Sequence, residues 1–191
     1  MLRVMLVDNH LERTAPLRQS LTEAGYEVIA HLNDTVNLDD AVSKLKPDIV
    51  IIDTDSPSRD TLEHIIVMGQ NAPRPIVMFT HDGDTEKIRS ATRAGVSAYV
   101  VGGLPNHRLK PVMDAAIARF EEFKALRHEL NEANTKLTER KVIEKAKGLL
   151  MKQRGIDEDT AYCMLRNMAM NQNTRLATLA EQVVQAAKLL L

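Results

Sequence analysis

Three short polar sites in this chain have the residue types for phosphate or cation chemistry. Asp8-Asn9, Asp53 and Thr80 each stand just past a short run of β-branched and apolar residues: Leu2–Val7, Ile49–Ile52 and Ile76–Phe79. Carboxylates brought together at neighbouring strand ends need a cation or a proton to coexist. The sharp reading is a magnesium site beside a phosphorylatable aspartate. A second chemistry lies far along the chain. Between Arg140 and Arg154 there are six basic residues and one acid, Glu144. On a wheel of 100° per residue, Lys141, Lys145 and Lys152 share one side with Gly148. Lys147 and Arg154 lie at one flank, and Val142, Ala146, Leu149 and Leu150 lie opposite the basic side. A basic face backed by an apolar one suits phosphate contacts along a polyanion; a solvated helix face is the plainer alternative.

The elements that must position these groups follow two rhythms. Up to about residue 104, strand-like runs, including Tyr26–Ala30 and Ala98–Val101, alternate with helical spacing at Leu11–Ala24, Leu38–Leu45, Thr61–Met68 and Thr85–Ala94. Alternation of this kind builds a parallel sheet through right-handed crossovers. The expected fold class is α/β: a doubly wound, five-stranded, flavodoxin-like sheet whose working site lies at the carboxyl ends of its strands. From Pro105 onward no strand pattern follows. A nearly unbroken helix is expected from about Asn106 to Arg154, roughly 75 Å at 1.5 Å per residue. Its middle carries a heptad seam of Ala116, Phe120, Phe123, Arg127, Leu130, Asn134 and Leu137, the pattern of a short parallel dimer in which Asn134 sets register. Gly155 ends the helix, and Asp157 caps a second one with Ala161, Leu165, Met168 and Ala169 inward. Thr174 caps a third, with Leu176, Leu179, Val183, Val184 and Ala187 on one face.

Bulk properties narrow the function classes. The chain has 191 residues, 44% hydrophobic and 27% charged, with a net charge of −1. Residues 1–127 hold 15 Lys+Arg and 18 Asp+Glu, whereas residues 128–191 hold 10 and 8, so the basic character is local. No apolar run reaches the ~20 residues of a membrane span, and the first residues read as a buried strand rather than a signal peptide. One cysteine, Cys163, fits a reducing cytoplasm and is expected to pack as a small apolar residue. Apart from the strand-end carboxylates there is no metal-ligand cluster, glycine-rich phosphate loop or Ser/His/Asp arrangement, so no enzyme is expected. Among the last 64 residues Tyr162 is the sole aromatic, which leaves at most one stacking contact for a base.

These residues carry resemblances. Asp53, Thr80 and Tyr99 resemble the phospho-acceptor, hydroxyl and aromatic positions of bacterial response-regulator receiver domains, over about residues 1–120. The resemblance also implies a second acid at Asn9 and a lysine at Gly102, and both are replaced. Magnesium affinity is therefore expected to be weakened by Asn9, and Gly102 cannot pair with an aspartyl-phosphate. A degenerate receiver, not switched by phosphorylation, is expected. The segment from Glu139 to Met151, followed by Asp157 to Tyr162, Leu165-Arg166 and Ala169-Met170, resembles the ANTAR domain over residues 128–191. A linker helix over 106–140 joins the two. The whole chain is similar to the AmiR/NasT family of antiterminators. That resemblance implies binding to a two-hairpin leader mRNA of nitrate or nitrite assimilation operons through Lys141, Lys145, Lys147, Gly148, Lys152, Arg154, Tyr162 and Arg166. It also implies a homodimer through the α-helical seam and restraint by a cytoplasmic nitrate/nitrite sensor protein of the NasS type. The alternative is a phosphorylation-activated, DNA-binding transcription factor.

Overall fold

The computed structural model describes residues 1–8, 11–33, 37–102 and 106–189; the side chains of 11–14, 106–107 and 188–189 lie outside the description, as does Asn9. The chain divides into two compact units, Met1–Lys124 and Ala125–Leu191.

The first unit is the expected α/β fold. Strands β1 (Arg3–Asp8), β2 (Glu27–Leu32), β3 (Ile49–Thr54), β4 (Ile76–Thr80) and β5 (Ala98–Val101) alternate with helices α1 (Leu11–Glu23), α2 (Leu38–Leu45), α3 (Arg59–Asn71) and α4 (Thr85–Ala94). All strand pairs are parallel, in the order β2-β1-β3-β4-β5. Successive side chains of a strand point to opposite faces, and both faces are covered. Met5, Val7, Val50, Ile52, Ile76 and Met78 meet α2, α3 and α4 through Val42, Ile65, Met68 and Ala91. Val4, Leu6, Ile49, Ile51, Val77 and Phe79 meet Leu21 of α1 and Leu109, Met113 and Ala116 of the next helix, α5 (Asn106–Arg154). Near-continuous apolar runs such as Ile49–Ile52 are what burial on both faces requires. α3 begins two residues before the apolar spacing indicates, because the Ser58 hydroxyl accepts the Thr61 N–H at 3.0 Å and caps the helix.

Helix α5 contains 49 residues. Its first turns belong to the core of the first unit and its last turns to that of the second. There Ala146 and Leu150 pack with Ala161, Leu165 and Ala169 of α6 (Glu158–Asn171) and with Leu179 and Ala180 of α7 (Leu176–Leu189). Asp157 caps α6 as expected, its carboxylate accepting the Thr160 N–H at 2.7 Å. Gly155, at φ +65, makes the left-handed turn that ends α5, a conformation open to glycine at little cost. α7 starts at Leu176, with the Arg175 carbonyl accepting the Leu179 N–H, so its first helical bond begins one residue past Thr174.

Three expectations are corrected by packing. Ala116 is buried against the sheet of the first unit, so it is not available to a dimer seam. Met168 is exposed rather than inward, because Leu165 and Ala169 already fill the α6 face that meets α5 and α7. Cys163 is exposed rather than packed.

Candidate functional site

Two surfaces bear the chemistry that the sequence points to, one in each unit. At the carboxyl ends of the strands, Asp8 and Asp53 are register partners across β1 and β3, and Thr54 and Thr80 across β3 and β4. Parallel register therefore brings Asp8, Asp53 and Thr80 to one sheet edge. Asp8 and Thr80 are buried, and Asp53 is half-buried. The Thr80 hydroxyl donates to the Asp55 carbonyl at 2.8 Å and accepts the Asp82 N–H at 3.1 Å. The Tyr99 hydroxyl donates to the Asp82 carbonyl at 2.9 Å, and burial pushes this phenol above its ordinary pKa. Gly102 donates its N–H to the Thr80 carbonyl at 2.9 Å and sits at φ +78. A Cβ there would meet open space, so what opposes a side chain at this position is backbone conformation rather than crowding.

Metal chemistry at this edge has a minimal donor set. Magnesium is held through one or two carboxylates with water completing its shell, and Asp8 with Asp53 supplies two. No group of three or more metal-binding side chains occurs among the described residues. The pair fits a magnesium ion that keeps most of its water, which would screen charge between the two carboxylates.

A polar cluster beside this edge escapes a reading of strand ends alone. Ser56, after β3, donates to the Asp82 carboxylate at 2.7 Å. Lys87, in the first turns of α4, donates to Ser56 Oγ at 2.6 Å and lies 3.4 Å from Asp82 Oδ2. The hydrogen bond from Ser56, with help from the Asp84 N–H and Lys87, holds the Asp82 carboxyl below the ordinary range. The loops after β3 and β4 are thus tied together by a lysine from α4. The signal in the sequence was its place seven residues after Thr80, on the carboxyl side of the sheet where such folds keep their working groups.

In the second unit, Lys141, Lys145 and Lys152 are exposed along α5, with exposed Gly148 among them, while Ala146 and Leu150 point into the core. Arg154 is exposed as well, and Tyr162 and Arg166 are exposed on α6, four residues apart and therefore on one face. Lys147 corrects the expectation. Its side chain is only 9% exposed, and its ammonium lies 2.8 Å from Glu144 Oε1 and 2.6 Å from Glu158 Oε1. Those hydrogen bonds, Glu144 first, hold the ammonium above its ordinary pKa, and Lys147 in turn holds Glu158 below the carboxylate range. The sequence wheel places Lys147 at a flank, and only the start of α6 reveals that this flank is covered.

The start of α6 should respond to acid. Asp157, through the Thr160 N–H, and Glu158, through Lys147, both titrate below ordinary carboxylates. A depressed carboxyl contributes stability that is fully present above the ordinary pKa of about 4 and is lost as pH falls through the lowered value. We expect the thermal midpoint of the helical unit to be flat from neutrality to about pH 5 and to drop below about pH 4. In Asp157→Ala the drop should be shallower, as read by circular dichroism melts across pH.

Comparison with known proteins supplies the lineage. Residues 4–113 match the response regulator receiver domain, and residues 131–184 match the ANTAR domain. The chain is 30% identical over 183 residues to the transcriptional regulatory protein PdtaR of Mycobacterium tuberculosis, covering 96% of this chain and 89% of that protein. It is 40% identical over 63 residues to a nitrate regulatory protein of Klebsiella oxytoca, a stretch that is 33% of this chain and 16% of that one. The receiver fold matches the signal receiver domain of a modulated diguanylate cyclase from Desulfovibrio desulfuricans with a TM-score of 0.55 at 23% identity, covering 63% of this chain and 97% of that domain. With a doubly wound sheet carrying Asp53 at its carboxyl edge and a three-helix unit built from the end of α5 with α6 and α7, the chain belongs to the response-regulator family, among the members that couple a receiver domain to an ANTAR domain.

Proposed function

We propose that this protein is a transcription antitermination regulator that binds hairpins in a leader mRNA and prevents a terminator from forming. The observation that carries this reading is the exposed line of Lys141, Lys145 and Lys152 on the outer face of α5, inside the ANTAR match. Phosphate contacts from such a line supply affinity, and Tyr162 and Arg166 are the groups suited to bases. Residues 128–191 form the RNA-binding module, 1–120 a receiver-like module, and 106–140 the helix that joins and pairs them. The site of action is the bacterial cytoplasm, where leader mRNA is made.

Control by a partner rather than by phosphorylation is supported by Gly102, which offers no ammonium to an aspartyl-phosphate, and by Thr80, whose hydroxyl is engaged by Asp55 and Asp82 backbone groups. The similarity to a nitrate regulatory protein supports nitrate or nitrite assimilation as the regulated process, and the restraining partner in this reading is a NasS-type sensor. The test is a titration against a two-hairpin leader RNA, a scrambled RNA and duplex DNA, with and without acetyl phosphate. RNA-selective binding of equal strength in both conditions is expected. Binding that requires the phosphodonor would transfer control to Asp53, and preference for duplex DNA would overturn the reading.

A homodimer through α5 completes the proposal. Phe123, Leu126, Leu130 and Leu137 are exposed and fall within about 60° of one another on the helix. Leu126, which the heptad reading passed over in favour of Arg127, belongs to this stripe, with Asn134 at its edge. Leu130 is 60% exposed in the single chain, so a charge there costs the monomer little and a paired seam a great deal. Leu130→Asp is expected to sediment as a monomer on RNA and free of it; a dimer would place the interface elsewhere.

A further inference from the structure

We infer that Lys147 serves RNA binding only through the protein: it is a positioning residue that clamps the start of α6 to α5 and does not contact phosphate. The inference rests on the RNA-binding reading of this unit. Glu144 stands one turn earlier on α5, and Glu158 is the first residue of α6. The ammonium has three donors, and two are committed to these carboxylates. The acids are themselves 54% and 65% exposed, so they cover the ammonium from the solvent side. A phosphate approaching Lys147 would meet two negative charges before it met the positive one. To reach out, Lys147 would have to abandon both carboxylates and leave a site where its side chain is only 9% exposed. A cation held this way is costly to unpair.

The clamp has a specific consequence. Glu158, Tyr162 and Arg166 are spaced by four residues, so they form one line along α6. Fixing Glu158 to Lys147 fixes the rotation of that line about the α6 axis. Tyr162 and Arg166 are thereby aimed by a contact made one and two turns before them. The Asp157 cap holds the backbone of the same turn, and the left-handed Gly155 sets the chain reversal between the two helices.

The two roles for Lys147 predict opposite signs. The full-length chain would be titrated with a two-hairpin RNA across a salt series, as wild type and as Glu158→Gln, Lys147→Met, Lys147→Arg and Lys145→Ala. For a positioning residue, Glu158→Gln weakens binding about tenfold although it removes a negative charge. Lys147→Met weakens it similarly with the wild-type salt slope, and Lys147→Arg retains most of the affinity. Lys145→Ala, the phosphate-contact control, lowers the log–log slope by about 0.9. Tighter binding by Glu158→Gln, or a slope loss in Lys147→Met equal to that in Lys145→Ala, would overturn the inference. Should Lys147→Met not fold, the sign of the Glu158→Gln effect decides alone. If the wild type shows no preference for RNA, the antitermination reading fails by itself. The clamp is then decided by a thermal double-mutant cycle on Lys147 and Glu158, in which coupling supports it and additivity rejects it.

Discussion

Lys145→Ala combined with Lys152→Ala is expected to weaken binding to a two-hairpin RNA about thirtyfold near physiological salt. The magnitude comes from counterion release. Each phosphate contact contributes a slope of about 0.9 in log affinity against log salt, which is about 0.7 log units per contact at 0.15 M. Both lysines are exposed on the face of α5 opposite Ala146 and Leu150, so their removal touches no core contact. The log–log slope should fall by about 1.8, while the helical content and the thermal midpoint stay at wild-type values. An unchanged slope would remove this face from the RNA interface and leave the polar ends of α6 and α7 as the remaining candidates.

The largest expected effect on stability is that of Leu165→Ala. The buried core cluster of the helical unit is Ala146, Leu150, Ala161, Leu165, Ala169, Leu179 and Ala180. Four of the seven are alanines, which let the three helices approach closely but contribute little apolar area. Three leucines therefore carry most of the buried volume, and Leu165 is fully enclosed. Truncating a buried leucine costs about 2–5 kcal/mol through lost transfer energy and the cavity left behind. A unit of this size has little stability to spare. Leu165→Ala should melt the helical unit at physiological temperature and abolish RNA binding. The receiver unit, whose sheet core shares none of these side chains, should keep its own transition. Two-step chemical denaturation with an early, shifted first step would meet this expectation; a single unshifted transition would contradict it.

How much of this was legible beforehand depends on how local the cause is. The strand and helix order was readable because each element announces its own period, and Asp8, Asp53 and Thr80 converge because parallel register leaves them no choice. The Ser56–Asp82–Lys87 cluster was not readable, since its members come from three segments up to 31 positions apart. The burial of Lys147 was not readable for a related reason: a helical wheel knows one helix, and the acid that covers this lysine from α6 lies 11 positions further on. Leu126 and Ala116 failed differently. A heptad can be drawn in two phases through Phe123, Leu130 and Leu137, one adding Arg127 and the other Leu126, both exposed, while Ala116 lies on both phases and is already used by the sheet.

The stretch from residue 121 to residue 130 of α5 is exposed on every side in the single chain, ahead of Asn131, where the start of α7 comes alongside. Helical hydrogen bonds there are sheltered by nothing but the helix itself, and isolated helices of this length are marginal in water. Amide hydrogen exchange should therefore be bimodal along one continuous helix: slow at Leu109–Ala116 and at Ala146–Leu150, fast between them. Association along the leucine stripe would slow the middle without touching the ends. Under the proposed homodimer the midpoint of α5 would be a built-in gauge, its protection factors counting how much of the population is paired.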